Sequence, residues 1–313
     1  MLAGAEKVFC GKQWRKPTRE PETSALNSKM SVIAKLLDGL IDYAGLYPPA
    51  SLDLPAVVRN YLYYRQGKDA AVLGRLVIDL SRMEELRSFA RDSLQELLLS
   101  ITASASLDVD SLNRLMDAGL PIEAIEIKAN APSVIQCIAA QLPVEVVTYF
   151  EVPVEGTDAG VLDAICAASA RVKLRLGGLA AETFPSSLAV ARMLQAIAER
   201  HLLFKATAGL HHPLPGRYPF TDAPDSAAGT MHGFVNLNCA AALLYLGGDV
   251  ADAVLILDEM ERDAWQVSTE TIAWHDLRWN SLQMEEVRQA FFCGIGSCSF
   301  TQPLAEMEAL GWR

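Results

Sequence analysis

The chain has 313 residues, 51% hydrophobic and 21% charged, with a formal net charge of −11 at pH 7; that length fits one large α/β barrel or two ordinary domains. The acidic balance, with no dense Lys/Arg run in the body, argues against nucleic acid or an anionic membrane surface as the main partner. The longest apolar stretch, "GFVNLNCAAALLYLGG" at 233–248, holds two asparagines and is too short to span a bilayer, so it reads as a buried helix.

Residues 1–29 are basic, polar and aperiodic, without the apolar core of a secretory signal. They are expected to be a disordered or non-native extension, with Met30 opening the periodic segment and 30–313 forming a single barrel domain. "LIDYAGLY" (40–47) reads as a first strand, and the following "IDYAGLYPPASLDLP" (41–55), with Tyr43, Gly45 and its double proline, as one wall of a site. Short β-branched runs then start at 71, 97, 122, 144, 171 and 202, which is 22 to 31 residues apart. Ala/Leu-rich segments of helical period separate them, with helix-opening signals at Asp108, Ser133 and Thr157. Regular strand–helix alternation implies right-handed crossovers and a parallel sheet. A last strand near "FFCGIGSCSF" (291–300) completes eight, which predicts an α/β fold of the (β/α)8 TIM-barrel type. "TIAWHDLRWN" (271–280) reads as a small hairpin inserted near the C-terminus. An open doubly wound sheet is the alternative; the first strand is followed by no GxGxxG, which counts against dinucleotide binding.

Strands buried on both faces should be nearly unbroken apolar runs, and these are not. By the two-residue period, Glu126 shares a face with Lys128, Lys173 with Arg175, Lys205 with Thr207 and Ser100 with Thr102, while Glu151 ends the fifth run. The polar residues gather toward the strand C-terminal ends, where a barrel opens into its mouth. Four cations against two or three carboxylates suggest a pocket for a carboxylate or phosphate. Lys205, next to Lys173 and Arg175, is expected to have a depressed pKa and to act as nucleophile or base. Glu126 or Glu151 is expected to shuttle protons, and Lys128 is a further catalytic candidate. Structural ion pairs filling a polar interior are the alternative explanation of any one strand.

His211 and His212 end the seventh run and open a 20-residue stretch rich in proline and glycine, expected to be a structureless lid. Thr230 reads as the N-cap of the next helix, placing His232 and Asn236 on one face beside an anion-binding N-terminus. His211 is a candidate acid/base; His212, His232 and Asn236 are candidate substrate ligands. In "GIGSCSFTQP" (294–303), Ser297 is a candidate anion donor. The six cysteines, Cys10, Cys137, Cys166, Cys239, Cys293 and Cys298, form no CxxC, which points to reduced thiols in a cytoplasmic protein. A Cys293–Cys298 pairing or metal site stays open.

"FKATAGL" resembles the strand that carries the Schiff-base lysine in deoxyribose-phosphate aldolase and related class I aldolases, which read K-x-[ST]-x-G there; Lys205, Thr207 and Gly209 match. "VKLRLGG" resembles the second lysine strand of those enzymes, with Lys173 in the lysine position. The series "DYAGLYPP … KATAGLHHP … MHGFVNL … GSCSF" is similar to a bacterial family of uncharacterised TIM-barrel proteins. The resemblance to aldolases implies a lyase that forms a Schiff base on Lys205, with Lys173, Arg175 and Thr207 holding a small anionic carbonyl metabolite. No cofactor is called for, and a homo-oligomer is compatible. Two other functions remain open: a metal-assisted hydrolase or lyase using His211, His212 and His232, and a non-catalytic anion-binding barrel.

Overall fold

In a computed structural model that describes residues 30–91, 93–221 and 223–313, eight parallel strands close into a barrel. They are β1 (Ile41–Tyr43), β2 (Leu73–Asp79), β3 (Leu99–Ser104), β4 (Ile122–Lys128), β5 (Val147–Pro153), β6 (Arg171–Arg175), β7 (Phe204–Thr207) and, beyond five further strands, β13 (Phe292–Ser297). Their order around the barrel is β1-β13-β7-β6-β5-β4-β3-β2, which is the (β/α)8 arrangement of a TIM barrel. The expected extension at 1–29 lies outside the described residues.

Every predicted run contributes its strand, because β-branched and aromatic residues fit the pleated, packed surface. The alternation within each strand divides two environments. Ile101, Ile125, Ile127, Val172, Leu174, Phe204 and Ala206 are buried on one side. Ser100, Glu126, Lys173 and Lys205 alternate with them; Lys173 and Lys205 reach Glu126 across strands that are not their neighbours, which places the three in the barrel interior, and Ser100 joins them there by bonding to Glu126 from the adjacent strand.

The crossover helices are α2 (Leu54–Arg65), α3 (Met83–Phe89), α4 (Val109–Asp117), α5 (Pro132–Ala139), α6 (Ala159–Ala167), α7 (Ser187–Glu199) and α8 (Phe234–Tyr245); α1 (Val32–Leu37) precedes the barrel. Asp53, Asp108 and Ser186 cap α2, α4 and α7 by accepting from backbone N–H groups. Two expected helix openings shift. Pro132 takes the first turn of α5, so Ser133 is already helical, and Asp158 caps α6 in place of Thr157. The stretch 233–248 is the buried helix expected of it: all but the last residue of α8 are buried.

The supposed structureless lid after β7 instead holds an antiparallel pair, β8 (Gly216–Pro219) and β9 (Ala228–Met231). Thr230 is therefore a strand residue, and Gly233 precedes α8. After α9 (Val250–Asp258), the inserted hairpin has a third strand: β10 (Trp265–Val267), β11 (Thr271–Trp274) and β12 (Leu277–Asn280) form an antiparallel sheet. Then α10 (Ser281–Ala290) leads into β13, and α11 (Thr301–Ala309) ends the fold. No helix among the described residues is long and apolar enough to cross a membrane. Cys293 and Cys298 are not joined to each other by a disulfide.

Candidate active site

The charges that interrupt the strands join into one alternating row. Asp42 on β1 accepts a hydrogen bond from Lys205 Nζ on β7, which also donates to Glu126 Oε1 on β4 at 2.6 Å. Lys173 Nζ on β6 lies 2.7 Å from Glu126 Oε2 and 2.7 Å from Glu151 Oε2 on β5. Arg175 Nη1 closes the row 3.4 Å from Glu151 Oε1. Ser100 Oγ adds a 2.6 Å bond to Glu126, and the backbone N–H of Arg75 donates to Asp42 at 2.6 Å. Three acids thus meet three bases, and the inner members are nearly sealed: Lys205 is 1% exposed, Glu126 3% and Lys173 6%.

This arrangement corrects the expected electrostatics of Lys205. Burial pulls its pKa down, but the charges of Asp42 and Glu126 outweigh burial and raise it, so the ammonium is held rather than weakened. Burial raises Glu126, and Lys173 and Lys205 together bring it well below the usual carboxylate range. Burial likewise raises Glu151, which Lys173 and then Arg175 bring below its ordinary value. Beneath the row, the Tyr149 ring centroid lies 5.4 Å from Lys205 Nζ, and burial pushes its phenol up to about 12.

Above the row opens a cavity of about 690 Å³. Its lining includes Glu126, Lys128, Glu151, Lys173, Arg175, Thr207, His211 and His212, so eight of the twelve predicted site residues converge on one space. Lys205 and Asp42 are not among the lining residues. Lys128 and Arg175 are exposed at the mouth. His211 Nδ1 is 3.1 Å from Ser297 Oγ, while Ser297 itself is buried and donates to the Ser299 carbonyl at 2.7 Å. Ser297 therefore positions His211 rather than facing the cavity. His212 Nδ1 lies 2.8 Å from Glu306 Oε2, and its ring stacks on Tyr218.

Two predicted ligands lie elsewhere. His232 Nε2 is 2.8 Å from the Pro185 carbonyl, and burial lowers its pKa. Asn236 Nδ2 donates to the carbonyls of Ile256 and Glu259 at 2.6 and 2.8 Å, tying α8 to the end of α9. The helix begins only at Phe234, so His232 stands before it and shares no helix face with Asn236, and both meet packed backbone. With His211, His212 and His232 each engaged separately, the three-histidine metal arrangement does not assemble, and no group of three His, Cys, Asp or Glu suited to a metal occurs among the described residues.

Asp42 was absent from the expected set. Its signal is an acid flanked by Ile41 and Tyr43 in an otherwise apolar strand, the same signature that marked Lys205.

No family model and no curated protein matches the chain. Solved structures that match include FabK from Thermotoga maritima, at 13% identity and a TM-score of 0.34, and a point mutant of the same protein, at 12% and 0.37. Each alignment covers 59% of this chain and 56% or 60% of the other, so the chain spans less than two thirds of the structures it matches. These comparisons bring no aldolase resemblance; the likeness of the Lys205 strand rests on its own residues, and the TIM barrel rests on the strand pairing.

Proposed function

We propose that the chain is a lysine-dependent lyase of aldolase type, acting on a small anionic carbonyl compound at the barrel mouth. The observation that carries this reading is the row of three carboxylates and three cations at the floor of the cavity. The reacting amine is Lys173, which borders the cavity; Lys205 lies behind Glu126 and holds it anionic.

Lys173 must first lose a proton, and Glu151 is the acceptor 2.7 Å away on the solvent side. The free amine adds to the substrate carbonyl carbon, and Glu151 returns its proton to the carbinolamine hydroxyl, which leaves as water to give an iminium and restores the Glu151 carboxylate. Glu126, kept ionised by Lys205, stabilises that cation. Cleavage of the adjacent carbon–carbon bond sends its electron pair into the iminium to give an enamine, while the departing hydroxyl gives its proton to Glu151. His211, which lines the cavity and is held by Ser297, protonates the enamine carbon, and water then hydrolyses the product from Lys173. Arg175 and Lys128 at the mouth attract the anionic group.

The test is borohydride trapping with a panel of small aldehydes and keto acids, followed by peptide mass mapping. The expected result is a reduced adduct on Lys173 that is lost in Lys173→Met. Adducts confined to exposed lysines such as Lys68, together with retained anion binding, would leave a binding barrel without catalysis. An adduct on Lys205 would overturn the assignment of the amine to Lys173.

A further inference from the structure

The cavity is divided between two kinds of wall. Its charged lining comes chiefly from β4, β5 and β6, with Glu126, Lys128, Glu151, Lys173 and Arg175. Asp79 on β2 is the one further Asp, Glu, Lys or Arg of the lining, and Ser81 engages it through both its N–H and its hydroxyl, at 2.9 and 2.5 Å. In the closed barrel, β1 stands four strands from β5 in either direction. Tyr43 at the end of β1, Tyr47, Pro48, Pro49 and Leu52 in the segment after it, and Tyr64 on α2 form the opposite wall. Tyr64 packs edge-on against Tyr43 at 5.5 Å and lies tilted against Phe300 at 4.6 Å, so this wall is a built aromatic face rather than scattered side chains. Leu52 is 37% exposed at its rim.

A three-carbon phosphate would use only the charged half. A volume of about 690 Å³ is that of sites enclosing drug-sized ligands. Apolar surface left in water beside a bound polar head is also a lost source of affinity. We infer that the substrate is an amphiphilic anion, with its carboxylate and carbonyl against β4–β6 and an aliphatic or aryl body against the β1 wall. This rests on the lysine-lyase reading for the carbonyl only; the division of the walls is independent of it.

The probe is a homologous series of straight-chain 2-oxo acids from pyruvate to 2-oxooctanoate, with phenylpyruvate as the aryl member. Dissociation constants are measured by calorimetry on the full chain, and borohydride trapping is run in parallel. Affinity is expected to rise about fourfold per added methylene, the gain from burying one such group. Leu52→Asp, at an exposed rim position, is expected to flatten that rise. Equal or weaker binding of the longer acids, with Lys173 still trapped, would overturn the amphiphilic substrate and leave the lyase standing. A rising series with no trapping on Lys173 would keep the substrate class and overturn the chemistry. Binding of no acid in the series would also overturn the inference.

Discussion

Replacing Lys205 with methionine keeps most of the stem volume and removes a charge that two buried carboxylates share. Each contact at this range carries about 6 kcal/mol of gross attraction at an effective dielectric of about 20. Desolvating the ions offsets much of it, and removing one partner of a buried pair costs about 3–5 kcal/mol, because the other is left uncompensated. Glu126 keeps Lys173, and Asp42 keeps the Arg75 N–H, so neither is wholly orphaned. Lys205→Met is therefore expected to lose about 3–5 kcal/mol at pH 7, read from urea unfolding at constant m-value. The loss should shrink on acidification. In the native chain, the depressed pKa of Glu126 contributes stability that is present above the unfolded value of about 4.3 and is lost as pH falls through the lower folded value. With Lys205 gone, the folded value climbs back, so Glu126 takes up its proton at higher pH and the two stability curves draw together only as pH falls below the unfolded value of about 4.3 toward the lower native one. A loss below about 1 kcal/mol at pH 7 would refute the placement of Lys205 at the centre of the row.

Asn236→Ala is expected to lower stability by about 1–3 kcal/mol, since the buried Ile256 carbonyl and the half-buried Glu259 carbonyl lose their donor, while keto-acid affinity stays unchanged; weakened binding with unchanged stability would return Asn236 to the site. His232 is buried with a lowered pKa, so the unfolded chain binds its proton first, and stability should fall as pH drops from about 6.5. His232→Gln retains a donor for the Pro185 carbonyl and should flatten that part of the stability profile; an unaltered slope would refute the assignment.

All eight barrel strands were legible because the signal is local. A parallel strand needs a short β-branched run, and a crossover helix sets the distance to the next. The polar interior was legible for the same reason: Glu126, Lys173 and Lys205 interrupt apolar runs that would otherwise be continuous. Partners were not legible. Which acid meets Lys205 depends on strands that lie 163 residues apart in the chain, and β1 is only three residues long, too short for Asp42 to stand out from a turn residue. Leaving out that one acid made the interior look cation-rich and reversed the expected shift of Lys205. The β8–β9 pair was hidden because "GRYP" and "AGTM" lack apolar alternation. His232 was joined to Asn236 by a helical spacing that begins too early: with Thr230 in a strand, the helix starts at Phe234 and leaves His232 outside it.

The alternating row also has a direction along the chain. Asp42, Glu126 and Glu151 all belong to β1–β5, whereas Lys173, Arg175 and Lys205 all belong to β6 and β7. A cut in the connection between β5 and β6 would leave every acid of the row on one fragment and every base on the other. Neither piece could neutralise its own interior, and each would be the natural complement of the other. The polypeptide thus carries its own code for reassembly as a split protein: the two fragments should recombine readily in dilute buffer, lose that ability as salt screens their encounter, and refuse to pair with a second copy of themselves.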